Sequence, residues 1–436
     1  MCFGVLSLKK IAISLLVLFG LGVTLISCYS SSNYQNPSRT KFRAFISNAL
    51  HPTGVSNVPV IEIMNATTDV LSPSPIDLSG GLSDAGAMDL SSNKKLTLVY
   101  SPTNNAFALI DNTTEKATIA TMSLPDSAES FLLGVDIKHA YAAVPNASVN
   151  QQPPGAVFQV DLSTGTISAA LPIPQARFIA QDIVGAHIFV FGDNSSDACA
   201  DHSGTVTVIT TANIGTNTDP RLTVCGFDHP VGAVLPLGGS VAYVLECGPE
   251  CGGTTAAVAV LDLSTNTVTT HIPVPAATVG LADGNSLYVA GSAPDTPCPS
   301  GTQAVTCGNL TVIDTLHLVV ANSNPIVITD GYHTRMERGA GGQLYIGSTH
   351  CSNLNTSSEV RGCLSIFDTT SAGVKFPPDN GDVTGIAPIP GRNVVYVIEG
   401  GELRVYDTTT GALLPNHQTD IVGQLVDVKV VDNPVP

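Results

Sequence analysis

The chain has 436 residues, with 40 glycines, 29 prolines and no tryptophan, and only 12% of its residues are charged. This composition disfavours long helices and predicts an all-β protein with many short strands joined by turns. The formal charge of −17 argues against a nucleic-acid partner, because such proteins need lysine and arginine to replace the counterions on the phosphates.

Residues 1–27 are predicted to be a signal peptide. Lys9 and Lys10 precede an apolar run at 11–26, which is short for a membrane span. The run ends in the segment LISC at 25–28, which resembles a bacterial lipobox, where cleavage precedes the cysteine and its thiol, here that of Cys28, is lipidated. An uncleaved anchor or an ordinary secretory signal is the alternative. Each interpretation predicts export.

Residues 28–40 are polar and aperiodic, and are expected to form a flexible tether between a lipid bilayer and the folded domain. Tyr29 follows the cysteine at a position where aspartate often marks retention in the inner membrane. This favours the outer membrane, but it does not distinguish the periplasm from the cell surface.

One strand pattern recurs eight times after the tether: an alternating apolar segment ends in Asp or a substitute and is followed by a polar turn. The terminal residues are spaced 39 to 54 positions apart, a period typical of propeller blades. Because an Asp side chain can accept a hydrogen bond from the N–H two residues on, this position is interpreted as a turn cap and not as a metal ligand. The eight residues are Asn65, Asp111, Asp161, Thr210, Asp262, Asp314, Asp368 and Asp407.

A second apolar strand precedes each copy, and three of these strands contain Leu-Tyr or Val-Tyr before an aliphatic residue, at 287–290, 344–347 and 395–398. Together with the Asp-ending strand and its Thr-rich turn, they resemble the YVTN-type β-propeller repeat. No copy has the full Tyr-Val-Thr-Asn tetrapeptide. The resemblance implies a propeller fold over about residues 41–432, and it implies little about function because the family is broad.

The repeats predict a single propeller of four-stranded blades spanning 41–432, with 433–436 as a tail. The first unit begins with a second-strand pattern at 41–48, and the chain ends with a first-strand pattern at 422–431. Pairing of these two segments would close the ring and remove the exposed ends of a linear stack. Eight blades are expected, with seven as the alternative.

Eight cysteines remain after Cys2 and Cys28 are set aside, and an even number in an exported chain favours disulfides. A zinc site is disfavoured, because the CGPEC segment at 247–251 has no second pair at finger spacing. Eight cysteines allow 105 pairings, and their clustering suggests sequential ones. The suggested pairs are Cys199 with Cys225, Cys247 with Cys251, Cys298 with Cys307, and Cys351 with Cys363.

The segment HTRMERG at 333–339 holds three charged residues and a histidine, and the repeat phase places it at the start of an innermost strand. Strand alternation would put His333, Arg335 and Glu337 on one side, where Arg335 could hold an anionic ligand while Glu337 and His333 orient or deprotonate it. The alternative is a polar seam between blades. Equivalent positions in other blades complete a set of candidate binding residues: Glu129, Arg177, His229 and Asp382.

The sequence favours a non-enzymatic envelope lipoprotein that presents a disulfide-bonded face to a protein, a glycan or a small ligand. The alternative is a lactonase-like hydrolase with its site at the mouth of the central channel, since propellers with similar repeats include such enzymes. The sequence identifies no catalytic residue, metal ligand or cofactor. Fold alone does not decide between binding and catalysis.

Overall fold

The computed structural model describes residues 38, 40–53, 56–192, 199, 203–293, 298, 307–322, 324, 326–352, 362–377, 381–417 and 419–432. The predicted signal peptide, Cys28 and nearly all of the tether lie outside these residues. Contacts divide the chain into the units Met1–Ser38 and Arg39–Pro436, and the second contains every strand below. No helix in the described ranges is long and apolar enough to cross a membrane.

The second unit is a ring of eight antiparallel blades. Blade 1 contains strands Arg43–Pro52, Asn57–Asn65, Val70–Leu71, Ile76–Asp77 and Leu425–Val430. Blade 2 contains Met88–Leu90, Leu96–Ser101, Ala106–Asp111 and Lys116–Ser123. Blade 3 contains Ser130–Leu133, His139–Val144, Ala156–Asp161 and Thr166–Pro172. Blade 4 contains Phe178–Gln181, His187–Phe191, Gly204–Thr210 and Arg221–Phe227.

The remaining blades follow in chain order. Blade 5 contains Pro230–Val234, Val241–Glu246, Ala257–Asp262 and Thr267–Pro273. Blade 6 contains Val279–Asp283, Ser286–Gly291, Gly308–Asp314, Val319–Val320 and Ile326–Ile328. Blade 7 contains Tyr332–Arg338, Gln343–Thr349, Leu364–Asp368 and Val374–Lys375. Blade 8 contains Val383–Pro388, Val394–Glu399 and Glu402–Asp407, with a single bridge from Tyr406 to Leu413 in place of a fourth strand. Within the described ranges, three short 3-10 helices occur at Thr211–Asn213, Gly248–Cys251 and Pro415–His417.

The ring closes through blade 1, as predicted. Its innermost strand, Leu425–Val430, comes from the C-terminal end of the chain and pairs with Arg43–Pro52, so that Ile46 faces Val428. The innermost strands of successive blades contact one another in an unbroken circuit from blade 1 to blade 8 and back. The predicted eight-bladed all-β fold is therefore confirmed.

The core is divided into eight apolar clusters, one between each pair of neighbouring blades. The middle strands of a blade are covered on both faces, and for this reason strands such as Leu96–Ser101 are almost completely buried and mostly apolar. The outermost strands alternate between partly exposed and exposed residues, as in Lys116–Ser123. Each buried Val, Leu, Ile or Phe contributes about 1.5–3 kcal/mol, so blade contacts dominate the stability of the ring.

Polar contacts reinforce the closure. The guanidinium of Arg43 donates two hydrogen bonds of 2.7 Å to Asp432 at the other end of the chain, and a third, of 2.8 Å, to Glu115 of blade 2. Asp69 of blade 1 is buried and accepts hydrogen bonds from Arg392 and Tyr396 of blade 8. Blade 1 is thus tied to both of its neighbours.

The two ends of the ring differ. The turn face carries the tight turns between the first and second strands and between the third and fourth strands of each blade. The turn-cap prediction is confirmed there at seven of the eight positions, each of which accepts a hydrogen bond from the N–H two residues on. Thr210 is the exception, because the helix Thr211–Asn213 follows it. The loop face carries the connections between second and third strands and those from one blade to the next.

Candidate functional site

The loop face is cross-linked on four consecutive blades. The disulfides join Cys199 to Cys225, Cys247 to Cys251, Cys298 to Cys307, and Cys351 to Cys363. These are the pairs that the spacing suggested. Each bridge involves the loop between the second and third strands of blade 4, 5, 6 or 7, where a long loop would otherwise lose much conformational entropy on ordering.

A cavity of about 530 Å³ lies at the mouth of the ring on this face and is called the mouth pocket. Its walls come from three blades, and they include Gln175, Arg177, Phe178, His229, Cys251 and Tyr332. Two of these residues, Arg177 and His229, were predicted as binding candidates. The volume falls in the range typical of ligand sites, about 300–1,000 Å³.

Arg177 is the most available cation of the mouth pocket. Its side chain is 52% exposed, and its Nε lies 3.8 Å from a carboxylate oxygen of Glu129, another predicted candidate. That separation is too long for a hydrogen bond. No described residue accepts a hydrogen bond from the guanidinium, so its donors remain available for an anionic group.

The ring of His229 is held in place by the carboxylate of the preceding residue, Asp228. Its Nδ1 lies 2.8 Å from Asp228, whose other oxygen accepts hydrogen bonds from Thr254 and from the N–H of Thr255. Burial alone would raise the pKa of Asp228, but the hydrogen bonds from His229 and Thr254 outweigh it and lower the pKa to about 2. A charged Asp228 keeps the proton of the ring on Nδ1 and fixes the ring orientation.

Tyr332 lines the mouth pocket, and Glu250 lies near enough to Tyr332 for its charge to act on it. The sequence prediction missed both residues. Burial, with the nearby charges of Glu250 and Glu129, raises the pKa of Tyr332 to about 12. Burial also raises the pKa of Glu250 to about 7, although its carboxylate accepts a 2.8 Å hydrogen bond from the N–H of Ser292. Glu250 lies inside the CGPEC loop and Tyr332 directly precedes HTRMERG, so each was adjacent to a recognised feature.

His333 does not belong to the mouth pocket. Its side chain is completely buried beside Gly308 of blade 6, and neither ring nitrogen has a well-formed hydrogen bond. Burial lowers the pKa of His333 to about 4, against weaker opposing effects of the Thr329 backbone and Asp330. The residue is a neutral part of the seam between blades 6 and 7.

The expected alternation of His333, Arg335 and Glu337 is wrong because the strand contains a β-bulge. His333 pairs with Ser348 and Arg335 with Gly347, so the intervening Thr334 has no partner of its own. One extra residue reverses the direction of the side chains that follow. His333 therefore packs toward blade 6, whereas Arg335 donates a 3.0 Å hydrogen bond to the carbonyl of Thr384 in blade 8.

Glu337 belongs to a second polar group, which lines the channel. Its side chain is solvent-exposed, yet enclosure by the inner strands raises its pKa, with Lys429 and Arg335 acting in the opposite direction. Lys429 lies 3.5 Å from Asp427, and burial raises the pKa of Asp89 on the neighbouring innermost strand of blade 2. Asp427 and Lys429 were visible in the C-terminal strand pattern, but were not predicted as site residues.

Asp382 has a local role. Its carboxylate accepts a 2.7 Å hydrogen bond from the N–H of His350, next to the Cys351–Cys363 loop. It is not among the residues that line the mouth pocket. Among the residues that the structure describes, no group of three or more His, Cys, Asp or Glu is arranged to hold a metal ion.

Comparison with known proteins identifies the fold only. No protein-family model and no curated protein matches the chain. A solved structure of dihydro-heme d1 dehydrogenase NirN in complex with DHE aligns with a TM-score of 0.60 and 12% identity, covering 91% of this chain and 76% of the other. Hydrazine synthase of Kuenenia stuttgartiensis aligns with a TM-score of 0.53 and 14% identity, covering 74% of this chain and 94% of the other. At such identities the similarity shows a shared β-propeller fold.

Proposed function

We propose that the protein is an exported, lipid-anchored β-propeller that binds a small carboxylate-bearing ligand or acidic glycan in the mouth pocket. The observation that carries the proposal is Arg177, a half-exposed cation whose guanidinium meets no hydrogen-bond acceptor in the described chain, inside a cavity of about 530 Å³. Arginine presents a planar fork that matches a carboxylate.

The chemistry of the surrounding residues narrows the ligand class. Phe178 and Tyr332 supply apolar ring surface, whereas the disulfide at Cys251 holds one wall in place. Glu129, and Glu250 above its pKa of about 7, add negative charge near Tyr332. This charge opposes a polyanion but leaves room for one carboxylate on an uncharged body. A sugar acid or a short oligosaccharide containing one fits this combination of a cation, aromatic rings and moderate volume.

The proposed location rests on different features. The segment LISC at 25–28 matches the pattern of a lipidation site, and it follows a charged and then an apolar region. The four disulfides of the loop face are typical of proteins that fold in an oxidising compartment. We therefore expect Cys28 to anchor the mature chain to a bilayer of the bacterial envelope, with the outer membrane favoured.

Binding can be tested by calorimetric titration with glucuronate and with a neutral oligosaccharide that carries a single glucuronate residue, using maltotriose as the neutral control. The acidic sugars should bind and maltotriose should not. Replacing Arg177 by Gln should weaken binding about tenfold or more, the equivalent of about 1.4 kcal/mol. Arg221→Gln is the matched control, because Arg221 is also exposed but is already paired with Asp219.

The anchor is tested separately by replacing Cys28 with Ser in cells and measuring incorporation of radiolabelled palmitate. The wild-type chain should carry label and fractionate with membranes, and the variant should lose both properties. Absence of binding to every acidic sugar would contradict the ligand class, and unlabelled wild-type protein would contradict the anchor.

The hydrolase alternative is favoured by one observation, the pKa of Glu250 near 7. A carboxyl group that titrates near neutrality suits general acid–base catalysis, and His229 lies at the same mouth. A lactonase of this kind would turn over lactones at a rate that Glu250→Gln abolishes. Turnover that depends on Glu250 would replace the binding proposal by the enzymatic one.

A further inference from the structure

The lysines of the folded domain are confined to one end of the ring. Seven lysines follow Cys28 in the sequence, and six of them lie at or beside the turn face, whereas Lys429 lines the channel. No lysine occurs on the loop face. The six are Lys41, Lys94, Lys95, Lys116, Lys138 and Lys375.

Most of these lysines surround the point where the chain enters the propeller. The strand Arg43–Pro52 begins at the turn face, where Arg43 contacts Glu115 in the blade 2 turn that precedes Lys116. Lys94 of the other blade 2 turn reaches the carbonyl of Asp432, at 3.5 Å. The basic residues of blades 1 and 2 therefore lie near residue 40, where the predicted tether ends.

Apolar side chains protrude from the other half of the same face. Leu237 is 89% exposed, Val184 is 73% exposed and Leu316 is 67% exposed. They occupy turns of blades 5, 4 and 6, and a cavity of about 570 Å³ lined by Leu237 and Leu281 lies beside them. Single exposed apolar residues are ordinary, but three of them on the turn face of three consecutive blades suit a contact surface.

We infer that the turn face lies against the lipid bilayer, with the lysines of blades 1 to 3 at the phosphate groups and the apolar turns of blades 4 to 6 in the interface. Lysine near a membrane surface attracts anionic lipid, and exposed leucine and valine add favourable burial in the interfacial region. The turn aspartates share this face, but their carboxylates bend back to their own turns, as Asp111 does toward the N–H of Thr113. Lysine side chains are longer and reach further out.

The length of the tether agrees with this orientation, which rests on the lipid anchor proposed above. Eleven residues separate Cys28 from Thr40, and the segment spans at most about 40 Å when extended. An anchor attached beside the turn face brings that face to the bilayer most readily. The loop face and its mouth pocket then point away from the membrane, toward soluble ligands.

The absence of tryptophan from the chain allows a direct test. Leu237→Trp places a single fluorophore on the turn face, and Val422→Trp places one on the loop face, where Val422 is 62% exposed. Each full-length lipidated variant is reconstituted in vesicles of phosphatidylethanolamine and phosphatidylglycerol, with or without brominated acyl chains. Brominated lipid should reduce the emission of Leu237→Trp about twofold or more, the result expected for interfacial depth, and should leave Val422→Trp unchanged.

The other outcomes overturn the inference. Quenching of Val422→Trp alone would show the opposite face at the membrane, and quenching of neither or of both would show no preferred face. A blue shift of Leu237→Trp that depends on protein concentration in detergent would assign the surface to a second copy of the chain. Flotation with vesicles, compared with Cys28→Ser, reports the anchor independently, so failure of the proposed location is distinguishable from failure of the orientation.

Discussion

His333 should make the stability of the propeller depend on pH below neutrality. The side chain is fully buried between blades 6 and 7, and burial holds its pKa at about 4, whereas histidine in an unfolded chain has a pKa of about 6.5. Between these two values the unfolded chain binds a proton that the native chain does not. Stability is therefore complete above pH 6.5 and is lost as the pH falls toward 4.

The size of the effect follows from the two pKa values. Between pH 7.5 and pH 5, protonation of this histidine lowers the free energy of unfolding by about 2 kcal/mol. Below pH 4 the total loss approaches about 3 kcal/mol. This is a large fraction of the 5–15 kcal/mol that is typical of folded domains. Other buried acids, such as Glu250, also titrate in this range, so only the difference between wild type and a His333 variant isolates the histidine.

The assay is urea denaturation followed by circular dichroism at intervals from pH 7.5 to 4.5. His333→Leu has a side chain of similar size that cannot be protonated, and its stability should fall about 2 kcal/mol less than that of wild type between pH 7.5 and 5. Ile328→Leu is the control, because Ile328 is a fully buried residue of the same seam and the substitution changes no titratable group; it should keep the wild-type slope. Parallel curves for wild type and His333→Leu would refute the reasoning.

Three further predictions follow from the contacts. Asp69→Ala removes the buried partner of Arg392 and should lower the free energy of unfolding by about 3 kcal/mol; a loss below 1 kcal/mol in chemical denaturation would show that the pair is not important for closure. Replacing both Cys351 and Cys363 by Ser should cost about 3 kcal/mol, given a loop of this length, and circular dichroism should show the strands retained; a collapsed spectrum would mean that the disulfide is needed for the fold itself. If the mouth pocket binds acidic sugars, their affinity should fall as the pH rises through 7, because Glu250 then becomes charged, and titration of Glu250→Gln should show no such fall.

The sequence predicts the fold well because equivalent residues have the same structural role in nearly every blade. Seven of the eight terminal residues cap a tight turn, and the middle strands are apolar because neighbouring blades cover both faces. The outer strands were harder to predict, since they are short and polar on one side. Blade 8 has only a bridge at Leu413 where a fourth strand was expected, and the outer strands of blades 1 and 6 are each split in two.

The candidate site was predicted only in part. Side chains alternate along a regular strand, but a β-bulge interrupts that alternation, and bulges depend on tertiary packing. The β-bulge at Thr334 depends on how the strand pairs and packs with its neighbours, and the segment HTRMERG contains no residue pattern that predicts it. His333 is therefore buried in the seam between blades 6 and 7, and Arg335 donates a hydrogen bond to the backbone of blade 8. The three charged residues of this segment indicated a polar strand, but they did not indicate the direction in which each side chain points.

The positions that lead into the innermost strands were more informative than any single motif. Glu129, Arg177 and His229 each stand directly before such a strand in consecutive blades, and the ring brings them to one mouth. Asp382 occupies the same position in blade 8, yet its carboxylate is used by the N–H of His350. The repeat thus predicts the backbone position of such a residue. Whether its side chain is available for a ligand depends on the hydrogen bonds that it forms with the neighbouring loop. For Arg177 no described acceptor takes up the guanidinium, which is why the ligand is expected there and not at Asp382.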